Sequence, residues 1–127
     1  MALFFHGKAA FGNQDAQNRA ANLYRVILHF LKTSVQASLS SVSSCRLFET
    51  IRLATLNNLG VIQHMQGETE AACVTFQSLL WCLQHEEEIV LHSSYRPLPD
   101  DQERQEMSAN CVMVLMKTMV GHCAQAA

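Results

Sequence analysis

The stretch Ala54-Thr55-Leu56-Asn57-Asn58-Leu59-Gly60, followed by Gly67 and then by Ala72-Cys73-Val74-Thr75-Phe76, decides the fold. Leu53, Leu56, Leu59, Gly60 and Ile62 fall in step with a 3.6-residue turn and predict a helix over about 46–65. Gly67 ends that helix, and Glu68 stands where the dipole of a following helix favours an acid. Ala72, Phe76, Leu79, Leu80 and Leu83 then mark a second helix over about 68–85. It can run on through Glu86–Leu91 until Pro97 and Pro99 stop it.

Outward from this pair, helices are expected on both sides. Residues 2–12 read as a short helix broken near Gly12-Asn13. Residues 16–32 read as another, with Ala20, Ala21, Leu23, Tyr24, Ile27, Leu28 and Leu31 at helical spacing. A serine-rich connection covers 33–45, the first part of which can continue the preceding helix, and a second connection covers 86–100. Asp100 or Asp101 can cap a terminal helix over about 101–120. No segment alternates like a strand, so the fold class is all-α, as one domain over 1–127.

The helices repeat. Leu3-Phe4-Phe5-His6-Gly7 matches Leu56-Asn57-Asn58-Leu59-Gly60 at an offset of 53, and Ala20-x3-Tyr24 matches Ala72-x3-Phe76 at 52. A further 53 residues place Asn110 against Asn57 and Val112 against Leu59. The chain reads as helix pair (2–32), helix pair (46–85), single helix.

Leu56-x2-Leu59-Gly60, Gly67 and Ala72-x3-Phe76 together resemble a tetratricopeptide repeat, a 34-residue helix–turn–helix unit. The Ala-Thr-Leu-Asn-Asn-Leu-Gly run is most similar to repeats of the kinesin light chain type. Small residues at Gly60 and Ala72 let the two helices cross closely, with Leu59 and Phe76 filling the space beside the crossing. The first unit keeps Gly7, Ala20 and Tyr24. Leu56 stands at the family's tryptophan, Gln63 at its tyrosine and Gln84 at its proline. The resemblance implies antiparallel helix pairs stacked as a short right-handed solenoid of about two and a half repeats.

What the resemblance implies for function is a non-enzymatic protein–protein interaction module, whose concave face takes a peptide or helix of a partner. Carried over by position, that face has three rows: Phe4, Asn57 and Asn110; Lys8, Val61 and Val114; Phe11, His64 and Lys117. The amides of Asn57 and Asn110 can donate to and accept from a peptide backbone, or serve their own helix neighbours. Phe4 and Phe11 can anchor a partner side chain or belong to the core. Lys8 and Lys117 can pair with a carboxylate or simply be solvated. Two and a half repeats also leave one end uncovered. The last helix is apolar on several sides, at Cys111, Val112, Met113, Val114, Leu115, Met116 and Met119. It either caps the domain or makes the chain a structural domain that self-associates through this helix, in a homo-oligomer or against further repeats.

Composition sets bounds on the alternatives. The chain has 127 residues, 49% hydrophobic and 16% charged, and a formal net charge of −2. That suits a packed core and gives no reason to bind nucleic acid. Residues 1–64 carry six basic and two acidic side chains, and residues 65–127 carry three and nine, so the charge is unevenly divided. No apolar run reaches the length of a membrane span, and Met1–Phe5 lacks the basic residues of a signal peptide. Five cysteines without a C-x-x-C pair read as reduced thiols of an intracellular, cytoplasmic protein. Cys82 with His85, three residues apart, forms the one conceivable nucleophile–base pair, and His122-Cys123 could add zinc ligands. Neither has the paired spacing or the supporting groups that catalysis or a metal site requires, so no enzyme, metal or cofactor is expected.

Overall fold

The computed structural model describes residues 13–35, 42–90 and 101–126. These form four helices: α1 (Gln14–Val35), α2 (Val42–Met65), α3 (Thr69–Val90) and α4 (Asp101–Ala126). Among the described residues there is no strand. Two boundaries differ from expectation. α2 starts at Val42, inside the serine-rich run, because serine in sequence suits a loop but does not forbid a helix. α4 reaches Ala126, through Gly121. α1 runs on to Val35, into the first part of the serine-rich run. The expected helix over 2–12, with Phe4, Gly7, Lys8 and Phe11, lies outside the described residues.

Local chemistry fixes the helix ends. Asn13 caps α1: its Oδ1 accepts from the backbone N–H of Asp15 at 3.0 Å and of Ala16 at 3.2 Å. The α2–α3 turn is a Schellman motif. The N–H of Glu68 donates to the carbonyl of Gln63 (2.9 Å) and that of Gly67 to the carbonyl of His64 (3.1 Å). Gly67 sits at φ 76°, the left-handed conformation this closure requires.

Each helix packs antiparallel on the next. Gln66 reaches Asn18 and Asn58 reaches Tyr24 across α1 and α2. Thr75 reaches Gln63 across α2 and α3, and Arg104 reaches the Leu83 carbonyl across α3 and α4. Two antiparallel steps leave α2 and α4 pointing the same way, and these two also touch. α2 is therefore the central element, packed against α1, α3 and α4. Among the described residues, α1 packs against neither α3 nor α4.

The core follows from that order. Its larger cluster joins Leu53 and Leu56 of α2, Ala72, Phe76, Leu79 and Leu83 of α3, and Met107, Cys111 and Val114 of α4. A smaller one joins Ala21 and Tyr24 of α1 to Leu59 and Ile62 of α2, with Leu28 packed against both. α2 thus buries two opposite sides, which is why its apolar residues are not confined to one stripe. At the centre, Phe76 is fully buried against Gly60. A Cβ on Gly60 would lie 2.8 Å from both Cε2 and Cζ of Phe76, so the ring occupies the space a side chain would need. Burial of that phenyl ring contributes about 2–3 kcal/mol. Ala72, at 0% exposure, belongs to the same cluster, whereas Leu59, expected beside this crossing, packs against Ala21 and Tyr24 of α1.

Candidate functional site

The three rows expected on the inner face involve α2 and α4, and the structure describes two members of each row. Asn57 and Asn110 come together: Asn110 Nδ2 donates to Asn57 Oδ1 at 3.0 Å. Asn57 is buried, at 3% exposure, and its own Nδ2 lies 3.5 Å from Asn58 Oδ1. Asn57 thus serves a neighbour on its own helix, as one sequence reading allows, and the Asn110–Asn57 bond joins two helices, a use that neither reading names. Val114 is likewise buried, at 2%, in the larger core cluster. Asn57 and Val114 therefore do not line an open surface. Their burial follows from the direct contact of α2 with α4, which closes the floor of the expected groove.

What stays accessible is narrower. Val61 is half-buried against the larger cluster, His64 and Asn110 are half-buried, and Lys117 is exposed. Behind this line the helices are pinned by paired polar groups. Thr75 Oγ1 donates to Gln63 Oε1 at 2.6 Å, both side chains being buried. Asn58 Nδ2 donates to the hydroxyl of Tyr24 at 3.3 Å. Burial raises the Tyr24 phenol above its ordinary pKa, and the Asn58 bond offsets part of the rise. At the rim, Arg25 approaches Glu68 at 3.8 Å, an exposed pair of little energetic weight.

A second surface is exposed and apolar. Val112, Met113, Met116, Met119 and Val120 of α4 are between 48% and 68% exposed. The sequence marks Val112, Met113, Met116 and Met119 as apolar on several sides of the helix. The structure separates them from Cys111 and Val114, which face the core. On the opposite edge of the molecule α1 exposes Leu23, Val26 and Phe30. Leu23 belongs to the apolar set at helical spacing on this helix, yet it faces outward. An exposed aromatic pair on α3 was missed: His85 stacks on Trp81 with ring centroids 3.9 Å apart and places Nδ1 2.8 Å from the Trp81 carbonyl. Its signal is the i, i+4 spacing, with Trp81 out of step with Leu79 and Leu83.

The cysteines show what chemistry is available. Cys73 Sγ donates to Thr118 Oγ1 at 3.1 Å, Cys82 is half-buried beside the core, and Cys111 is fully buried. Burial pushes the Cys111 thiol up to about 11, which leaves it protonated and a poor nucleophile at neutral pH. His85 turns to Trp81 through both its ring face and Nδ1. Among the described residues, no group of three or more His, Cys, Asp or Glu side chains could hold a metal ion. Nor is any described helix long and apolar enough to cross a membrane. Comparison with protein-family models, curated proteins and solved structures returned no match.

Proposed function

We propose that this chain is a non-enzymatic helical interaction module of tetratricopeptide-like design. It holds a peptide or helix of a protein partner on the face shared by α2 and α4. The observation that carries the reading is the Asn110–Asn57 bond, which joins α2 to α4 at the 53-residue offset of the repeat. Side-by-side first helices of successive units are what a solenoid needs to present a continuous inner face. The closed approach of Gly60 to Phe76 supports the same unit.

Recognition on this face rests on Val61 as an apolar contact, on His64 and on Lys117. Asn57 and Val114 act as its support rather than as its contacts. A preformed face lowers the ordering cost of binding, so a few anchors are enough for micromolar affinity.

Selection of peptides from a random displayed library on the immobilised chain tests the proposal. Backbone amide shifts of the labelled chain, titrated with the winning peptide, should move most at Val61, His64 and Lys117. Substituting His64→Ala with Lys117→Ala should weaken that peptide about tenfold while leaving the helical circular dichroism unchanged. Failure to select any peptide, or shifts confined to the outer side of α4, would overturn it.

A further inference from the structure

The exposed side of α4 corresponds, through the 53-residue offset, to the side of α2 that receives α3. Glu106, Ala109, Met113 and Met116 stand at the places of Leu53, Leu56, Gly60 and Gln63. On α2 those four residues are covered by an antiparallel helix; on α4 their counterparts Ala109, Met113 and Met116 are exposed. The internal repeat thus specifies the kind of neighbour this side accepts: a helix running the other way. It also excludes a crossing as close as that of α2 with α3, because Met113 stands where Gly60 gives way to Phe76.

Charge selects the occupant. Glu106 and Lys117 are both exposed and lie eleven residues apart, about three turns or about 16 Å along the axis, on the same edge of the apolar stripe. Among the described residues Glu106 accepts only from Gln102 of its own helix, at 3.2 Å, and no carboxylate lies within ion-pair distance of Lys117. A two-fold axis lying in the contact plane and perpendicular to α4 reverses the second helix and keeps like edges together. With that axis between Cys111 and Val112, Glu106 faces Lys117 of the partner subunit, and the pairing occurs twice by symmetry. The parallel arrangement brings opposite edges together and makes neither pair. Sliding the antiparallel helices toward Met116 would cover more apolar surface but would bring the two Lys117 ammonium groups within about a turn of each other.

We propose that the chain forms a two-fold dimer through antiparallel α4 helices. Ala109, Val112, Met113 and Met116 interleave at its centre, and reciprocal Glu106–Lys117 pairs set its register. The methionines fill the wider gap because they are unbranched and adaptable. The apolar centre of the dimer lies apart from Val61 and His64, but Lys117 belongs to both proposed surfaces, so Met116→Glu, which touches only the dimer, separates the two readings.

Sedimentation velocity of the full chain from about 1 to about 500 µM tests this, the range spanning the affinities a single helix pair supports. The wild-type chain should shift from monomer to dimer. Met116→Glu should remain monomeric throughout with its helicity kept, as Met116 is 59% exposed. Glu106→Lys and Lys117→Glu should each weaken the dimer about tenfold, by turning two attractions into two repulsions, and the double exchange should restore it. A chain that stays monomeric, a dimer indifferent to Met116→Glu, or a double exchange no better than either single one would each overturn the proposal.

Discussion

Asn110 and Asn57 meet side chain to side chain at 3.0 Å, 53 residues apart in sequence, where α2 and α4 run in the same direction. Asn57 is almost wholly buried and Asn110 only partly so. The bond therefore sits at the mouth of the seam, with its acceptor inside. A buried amide oxygen that loses its donor keeps the desolvation penalty and gains nothing for it.

The two residues should for that reason respond unequally. Asn110→Ala strands the buried Asn57 oxygen without its donor and should cost about 1–3 kcal/mol. Asn57→Ala removes that acceptor and leaves the half-buried Asn110 amide to water, and should cost less, about 0.5–1.5 kcal/mol. Urea unfolding of the two single variants and the double should show a coupling of about 0.5–1 kcal/mol. Additive losses would mean that the amides act separately.

Gly60→Ala sets two effects of opposite sign against each other. Alanine in a helix interior gains up to about 1 kcal/mol in propensity over glycine. Here its Cβ would lie 2.8 Å from two atoms of a fully buried, closely packed ring. Overpacking of this kind costs about 1–3 kcal/mol, so the net change should be destabilising. Combining it with Phe76→Leu should recover part of the loss, because the shorter side chain vacates the space. A Gly60→Ala chain as stable as the parent in urea would show that the helices can part without penalty.

The α2–α3 unit was legible because close packing writes itself into residue size. Gly60, Ala72 and Phe76 could be read from spacing as a close-packed unit, though the ring of Phe76 lies on Gly60 itself and Leu59 turns to α1. The partners of the polar residues were not legible. Gln63 was marked only as a missing tyrosine, yet it accepts from Thr75 in the core, since hydrogen-bond partners depend on rotation between helices and leave no periodic trace. Asn57 and Val114 looked like groove residues because family position says nothing of how tightly α2 and α4 close. The beginning of α2 at Val42 was hidden by serines, whose loop preference is weak beside tertiary packing.

Gly67 isolates the cost of backbone conformation. It holds φ 76° with nothing within 4 Å of an added Cβ, so a substitution there meets strain and no clash. Gly67→Ala should lower stability by about 1 kcal/mol, and Gly67→Asn by less, since asparagine tolerates the left-handed region. Thermal melts of the three chains should rank glycine above asparagine above alanine. Alanine equal to glycine would mean that the turn relaxes to another closure.

Stability should fall in alkali, with Cys111 leading the loss. A thiol is charged when deprotonated, and burial in the core raises this one from 9.0 to about 11. Below pH 9 both folded and unfolded chains keep the proton, and stability is unaffected. Between pH 9 and about 11 the unfolded chain releases it while the folded chain holds it, so unfolding gains free energy as pH rises. The Tyr24 phenol, also raised by burial, adds to the loss above its ordinary value of 10.0. Cys111→Ala should be less stable at pH 7, because it opens a small cavity at a fully buried site. Its urea midpoint should nevertheless decline less steeply than the parent's from pH 9 to pH 10, with the Tyr24 contribution left to act above that. Parallel curves for the two chains would remove Cys111 as the cause.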